Sequence, residues 1–246
     1  MYILRTRIKK DIVCEFLPPA KPSNKVVILC SGMPTHPDKK ELLEFLSRKG
    51  YWSFMPRYRG SWESAGSFLK VSPHRDVLDV IDQLSRGFPD LWSGKTYTVR
   101  RPKVYLIGSS FGGPAVTLAS RDPRVRKAVA LSPVTDWRVD DKAESIDKLA
   151  TFTRMAFGNG YRGTEKDWNK LKNGKFYNPA YEASSIDGAK LLIIHAEDDK
   201  IVYAKTSATF ARQTGARLLL LKRGGHLSLS HTMRPELWRK MRRFLK

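Results

Sequence analysis

The sequence contains little cysteine. Only two of its 246 residues are cysteines, Cys14 and Cys30, and both lie in apolar runs typical of strands. Two cysteines are too few for the disulfide framework of a small secreted protein, and a free thiol in such a run behaves as a small buried apolar group. The cysteine content therefore favours a reducing compartment, and we expect a cytoplasmic protein.

A long apolar run near the start is also lacking. Residues 1–11 alternate charged and apolar side chains, whereas a signal peptide needs an uninterrupted apolar core and a membrane-spanning helix needs about 20 apolar residues. We therefore expect neither a signal peptide nor a membrane span.

Acidic residues are scarce relative to basic ones. The chain has 24 Asp and Glu against 45 Lys and Arg, a formal charge of +21, which attracts nucleic acid, anionic lipid and acidic substrates. The basic residues are scattered over segments typical of surface helices and turns, without a basic and aromatic module for nucleic-acid recognition. We expect a solvated basic surface and no specific nucleic-acid partner.

Short apolar runs alternate with amphipathic segments along most of the chain. The runs predict buried strands over residues 25–30, 51–56, 103–107, 126–131, 191–195 and 217–221. The segments between and after them predict helices over residues 37–50, 72–87 with Ser72 as cap, 202–214 and 230–246. This alternation is typical of an α/β domain with a mainly parallel sheet, and residues 2–8 and 12–17 predict an antiparallel edge.

One strand-to-helix turn carries the first chemical signal. Gly108, Ser110 and Gly112 fill the pattern G-x-S-x-G, in which small flanking residues let the chain bend tightly and push the central hydroxyl outward. Ser110 is the candidate nucleophile, and Ser109 is out of register. The helix that opens at Phe111 offers a backbone N–H and its positive dipole end to an oxyanion. By itself the motif also fits an ordinary turn with a solvated serine.

A serine nucleophile needs a histidine base, and the chain has five histidines. His226 follows the last strand in a glycine-containing loop that can reach over the sheet edge, and it is the candidate base. His231, at the start of the closing helix, is the alternative. We expect His195 to pack at the tip of a strand, and His36 and His74 to lie at a gate or at the surface.

The loop after residues 191–195 supplies the candidate acid. Its three adjacent carboxylates belong to Glu197, Asp198 and Asp199. Asp199 is the candidate because a helix is predicted to begin near Val202, and the N–H groups there would hold a carboxylate just ahead of it. A solvated acidic turn is the alternative. The order Ser110, Asp199, His226 is that of one known architecture.

Together, these motifs resemble the α/β-hydrolase family over nearly the whole chain from Lys25 onward. The motifs are the nucleophile elbow, the acid loop and the histidine loop, at residues 108–112, 195–199 and 225–226. Residues 57–61 and 132–137 are most similar to the prolyl-oligopeptidase-like group of esterases and peptidases.

The resemblance implies an α/β-hydrolase fold and a Ser-Asp-His triad that needs no cofactor or metal. The family has His-Gly-x after the strand equivalent to residues 25–30, and the N–H of x completes the oxyanion hole. Here Ser31-Gly32-Met33 stands in that place, so Met33 and Phe111 are the expected donors. Related oligopeptidases carry a large propeller domain that this sequence does not encode, which favours ester substrates.

The α/β alternation stops between residues 137 and 186, where aromatic residues concentrate. We expect a mobile helical lid there, with helices near residues 143–157 and 165–171. The α/β-hydrolase core then consists of residues 1–136 and 187–246. We expect lid aromatics to bind substrate, namely Trp137, Phe157 and Trp168, and plain packing is the alternative.

The predicted function is hydrolysis of small-molecule carboxylic esters through an acyl-enzyme. One alternative is a serine peptidase acting on small peptides with the same residues. The other is a non-catalytic basic protein on a hydrolase scaffold, which would bind nucleic acid through phosphate contacts.

Overall fold

A computed structural model describes residues 2–138 and 145–246. Within these ranges, eight strands form one sheet in the order β1-β2-β4-β3-β7-β8-β9-β10. Their bounds are β1 Leu4–Ile8, β2 Ile12–Leu17, β3 Lys25–Cys30, β4 Trp52–Pro56, β7 Lys103–Ser109, β8 Val125–Leu131, β9 Leu191–Ala196 and β10 Arg217–Leu221. A short separate hairpin pairs β5, Phe88–Pro89, with β6, Thr96–Tyr97.

The sheet is mainly parallel. From β4 to β10 all neighbouring strands run parallel, and β2 pairs antiparallel with both β1 and β4. The predicted α/β-hydrolase fold with an antiparallel edge is therefore confirmed. The parallel arrangement brings the carboxyl ends of β3, β7, β8, β9 and β10 to one edge, where open α/β sheets bind ligands.

The sheet is covered on both faces by the described helices. Their bounds are α1 Lys40–Arg48, α2 His74–Leu84, α3 Gly112–Ala119, α4 Ile146–Phe157, α5 Glu165–Asn169, α6 Ala204–Thr214 and α7 Pro235–Phe244. Side chains alternate along β3, so Val26 and Ile28 pack with α2, α3 and α6, and Val27 and Leu29 pack with α1 and α7. Both cysteines are buried free thiols in the core.

Several helix ends differ from the prediction. The first helix begins at Lys40 and not at residue 37, and a 3-10 turn, Leu229–Met233, precedes α7. Ser72 does not cap α2, because its hydroxyl bonds the Nδ1 atom of His74 and the helix starts after Pro73. In the described ranges no helix has the length and apolar character to cross a membrane.

The segment after β8 has two parts of different character. The helix predicted near residue 143 is described from Ile146, with Ser145 as its cap, and Ala143 lies outside the described residues. Beyond α4, the backbone is bonded to an earlier loop: Arg162 donates to the Gly60 carbonyl at 2.7 Å, and Phe68 donates to the Arg162 carbonyl at 2.8 Å. This second part is therefore continuous with the core.

Candidate active site

Ser110 lies in the tight turn between β7 and α3. Its φ of +51° is in the left-handed region, which is costly for a residue with a side chain and is held only by the surrounding structure. Its N–H donates to the Leu131 carbonyl at 2.9 Å, and its carbonyl accepts from the Gly113 N–H at 2.9 Å. The turn is thus fixed from both sides, and Ser110 lies half-buried at its apex.

The two flanking glycines are required by packing. A Cβ atom on Gly108 would lie 2.2 Å from the Gly112 carbonyl oxygen, and one on Gly112 would lie 2.0 Å from the Cys30 carbonyl oxygen. Both distances are far below van der Waals contact, so any larger residue would force the backbones apart. The G-x-S-x-G pattern therefore reflects the close approach of α3 to β3 and β7.

Buried Asp199 and half-buried His226 form an acid and base pair. The Nδ1 atom of His226 donates to Asp199, at 2.9 Å from Oδ2 and 3.1 Å from Oδ1. The N–H groups of Ile201 and Val202 donate to Oδ1 at 2.9 and 3.1 Å. They lie in the loop before α6, which begins at Ala204 and not near Val202 as predicted. Burial alone would raise the pKa of Asp199, but hydrogen bonds from His195, His226 and these N–H groups hold it well below its ordinary value.

The loop of His226 is anchored at both neighbouring residues. Asp198 accepts a hydrogen bond from the Gly225 N–H at 2.8 Å, and the Ser132 hydroxyl accepts one from the Leu227 N–H at 3.0 Å. Because Nδ1 of His226 is bound to the carboxylate as a donor, the neutral ring carries its lone pair on Nε2. That atom is available to accept a proton.

Other histidines have different surroundings. His231 accepts the Ser228 N–H at 3.0 Å within a turn, and burial, with Arg234, lowers its pKa. His36 contacts the rings of Trp62 and Phe157. Among the described residues, no group of three or more His, Cys, Asp or Glu is arranged so that it could hold a metal ion.

A cavity of about 590 Å³ opens at this edge of the sheet. Its described lining includes Met33, Ser110, Phe111, Trp137, Phe152 and His226. Two ion pairs also lie on the wall, Asp136 with Arg138 at 2.7 Å and Asp147 with Lys172 at 2.6 Å. The predicted nucleophile, the predicted base and both residues of the predicted oxyanion hole are thus brought to one cavity.

Two buried tyrosines, which the sequence did not single out, support the predicted oxyanion hole. The Tyr58 hydroxyl donates to the Ser31 carbonyl at 3.0 Å, and the Tyr177 hydroxyl donates to the Phe111 carbonyl at 2.6 Å. Burial raises the pKa of both tyrosines well above the ordinary value, so the hydroxyls keep their protons. They fix the two loops that carry Met33 and Phe111, both of which line the cavity.

The predicted substrate-binding aromatics do not share one location. Trp137 lines the cavity. Trp168 is 3% exposed and packs on Phe68, with 5.6 Å between ring centroids, and Phe157 packs against Trp62. Phe157 and Trp168 thus lie outside the described cavity lining and contact other rings, which favours the alternative of plain packing. Phe152, on α4, lies in the cavity wall where they were expected.

The prediction gave His195 a packing role only and missed its contact with Asp199. His195 is fully buried, as expected of a residue that packs at a strand tip. Its Nε2 atom also lies 3.1 Å from Oδ2 of Asp199. The sequence did contain a signal for this contact. His195 is a polar residue directly after the apolar run 191–194, and a buried polar group needs a hydrogen-bond partner.

Comparison with known proteins adds a family and a fold. The prolyl oligopeptidase family profile matches residues 38–246, and the curated proteins give no match. A Pyrococcus horikoshii acylaminoacyl peptidase structure is 17% identical, with TM-score 0.65, covering 99% of this chain and 39% of that one. A Pyrococcus furiosus esterase structure is 18% identical, with TM-score 0.68, covering 99% and 90%. The chain thus spans about two-fifths of the length of the peptidase.

Proposed function

Since the chain belongs to the prolyl oligopeptidase family and is a serine hydrolase, we propose that it cleaves carboxylic esters of small molecules. The observation that carries the proposal is the Asp199–His226 pair at 2.9 Å beside the cavity that Ser110 also lines. A histidine oriented by a carboxylate next to a strained serine turn is the arrangement that nucleophilic acyl transfer needs.

In the proposed reaction Ser110 attacks the ester carbonyl and forms a tetrahedral intermediate. His226 takes the hydroxyl proton at Nε2 and then gives it to the departing alkoxide, and Asp199 stabilises the imidazolium meanwhile. The N–H groups of Met33 and Phe111 donate to the oxyanion. Water, activated by His226, then hydrolyses the acyl-enzyme and releases the acid.

Ester substrates are favoured over peptides by one comparison. One structure of similar fold, of which this chain covers 90%, is an esterase. Peptide hydrolysis remains the second candidate function, supported by the family that the chain belongs to. Because esters are the easier acyl donors, a peptidase also turns over esters, and ester turnover alone does not separate the two functions. The separating measurement compares cleavage of aminoacyl amides and of aliphatic esters at matched concentrations.

We further propose that residues 145–157 are the part of the insertion that acts as a lid. Helix α4 contributes Ile146, Leu149 and Phe152 to the cavity wall. The Thr153 hydroxyl lies 3.6 Å from the Met33 sulfur. The lid therefore rests on the loop that carries a proposed oxyanion donor, and it is in place to select the acyl or alcohol group.

The proposal is tested with a fluorophosphonate probe and a short p-nitrophenyl ester. We expect the parent to be labelled and active, and Ser110→Ala to lose both. Ser109→Ala is the matched control, because Ser109 is the adjacent serine, buried at 2% exposure; it should keep labelling and turnover. Ester turnover by Ser110→Ala at the parental rate would refute the proposal. Salt-sensitive nucleic-acid binding without labelling would favour the non-catalytic alternative.

A further inference from the structure

A second histidine, His195, bonds the carboxylate of Asp199, and unlike His226 it is not part of the described cavity lining. His195 is the penultimate residue of β9 and has no exposed surface. Its Nε2 atom lies 3.1 Å from Oδ2 of Asp199 and 2.8 Å from the Val202 carbonyl oxygen. Its Nδ1 atom lies 2.8 Å from the Ser207 hydroxyl, on helix α6.

These partners determine where the His195 proton sits. Both partners of Nε2 are acceptors, a carboxylate and a carbonyl, so Nε2 carries the hydrogen. The neutral ring then accepts at Nδ1, and the Ser207 hydroxyl can donate to it. The ring is fixed by Ser207 on one side and by Asp199 and Val202 on the other, and cannot turn over without losing these bonds.

We propose that His195 is a positioning residue that holds the Asp199 carboxylate in the orientation in which it binds His226. This inference rests on the proposed function. Oδ2 accepts from both histidines, at 3.1 and 2.9 Å, while Oδ1 accepts two backbone N–H groups. Because Oδ2 is shared between the two rings, the hydrogen bond from His195 restrains the oxygen that His226 binds.

Other ionisable groups surround this pair. Asp198 reaches the His226 loop through the Gly225 N–H. His231, with Arg234 beside it, interacts electrostatically with His226. None of these groups is altered by changing His195, so a change in the pH profile of a His195 variant reports the bond to Asp199.

The test uses two substitutions of His195 in the full chain. His195→Leu fills the buried site without a donor, and His195→Gln restores an N–H at the same number of bonds from the backbone. We expect His195→Leu to lower kcat by about tenfold, the size of one hydrogen bond to a charged group, with KM for a short ester nearly unchanged. The acid limb of the kcat/KM profile should move to higher pH, because His226 then faces a less neutralised carboxylate. His195→Gln should recover most of both effects.

Further measurements distinguish failure of this inference from unfolding of the variant and from failure of the proposed function. Activities are referred to the fraction of protein that a fluorophosphonate probe labels, which counts assembled sites. An unchanged acid limb and kcat per labelled site in His195→Leu would overturn the inference, and so would a failure of His195→Gln to improve on His195→Leu. If Ser110→Ala kept parental activity, the proposed function itself would fail, whatever His195 does.

Discussion

Tyr177 donates a hydrogen bond of 2.6 Å from its hydroxyl to the carbonyl oxygen of Phe111. The bond joins the segment after β8 to the first residue after Ser110, and it is buried. A buried carbonyl that loses its donor has no water to replace it, so its loss costs free energy. The turn that presents Ser110 therefore depends on Tyr177, which lies 66 positions after Phe111 in the chain.

Tyr177→Phe should destabilise the protein by about 1–2 kcal/mol, since it leaves a buried carbonyl without this donor while the ring remains. Urea unfolding measures the change. Tyr181→Phe is the control, because the same hydroxyl is removed from a side chain that is 52% exposed, and its unfolding midpoint should stay at the parental value. Equal midpoints for the two variants would contradict the importance of this bond.

Gly112→Ala should prevent folding or cost several kcal/mol, because the new Cβ would lie 2.0 Å from the Cys30 carbonyl oxygen. Gly94→Ala is the control, with open space around its Cβ position and a φ of +70°; it should cost only about 1 kcal/mol, for the left-handed backbone. Soluble yield and thermal unfolding measure both variants. A Gly112→Ala protein as stable as Gly94→Ala would show that α3 can move away from β3.

Phe152→Ala should change the preference among ester chain lengths at nearly unchanged stability, because Phe152 lines the cavity and is 56% exposed. Met155→Ala, one turn further along α4 and 83% exposed outside the cavity wall, is the control and should keep the parental preference. The ratio of kcat/KM for short and medium p-nitrophenyl esters is the measurement. Matching ratios in the two variants would contradict a lid that selects substrate.

Trp168→Ala should instead lower stability by roughly 3–5 kcal/mol, the usual cost of removing a buried large aromatic side chain. Trp168 is 3% exposed and packs on Phe68. Denaturant unfolding measures this loss of stability. Under conditions where the variant is folded, its ratio of kcat/KM for short and medium esters should equal the parental ratio. A changed ratio at unchanged stability would return Trp168 to the substrate pocket.

Stability should fall as the pH is lowered from 7 to 5, in part through His74. Burial, with the nearby Arg121 and Arg75, lowers the pKa of His74 from 6.5 to about 4. Between these values the unfolded chain binds a proton that the folded protein does not, so the contribution of His74 is full above pH 6.5 and is lost toward pH 4.

His74→Gln should therefore reduce the acid loss of stability by roughly 1–2 kcal/mol between pH 7 and 5. Urea unfolding of variant and parent at each pH measures it. Asp76 acts in the opposite direction, since burial raises its pKa to about 6, and it is present in both proteins. Parallel pH curves for the two proteins would show that His74 does not stay neutral on folding.

The sequence predicted the sheet well because buried parallel strands are uninterrupted apolar runs. The predicted bounds of β3 and β10 match the structure, Lys25–Cys30 and Arg217–Leu221. Helix ends were less accurate, as at Pro73 in place of Ser72, because a start depends on local hydrogen bonds that apolar periodicity does not report.

The same contrast holds at the candidate site. Ser110, Asp199 and His226 follow strand ends, so the parallel topology alone predicts that they converge. Tyr58 and Tyr177 act through hydrogen bonds to backbone groups far away in the chain. No spacing or composition signal distinguishes such a tyrosine from one that merely packs, and the same ambiguity explains why Phe157 and Trp168 were placed in the pocket.

The division of the segment after β8 has a consequence for building chimeric enzymes. Gly158 follows α4, has a φ of +47° and has no atom within 4 Å of its Cβ position. Beyond it, Gly160 and Arg162 are bonded through the backbone to residues 60–68. A lid taken from a relative should therefore be joined at Gly158, where the graft can change the substrate pocket. A junction after Arg162 would also replace Gly160 and Arg162, which hold the loop of residues 60–68 through backbone hydrogen bonds.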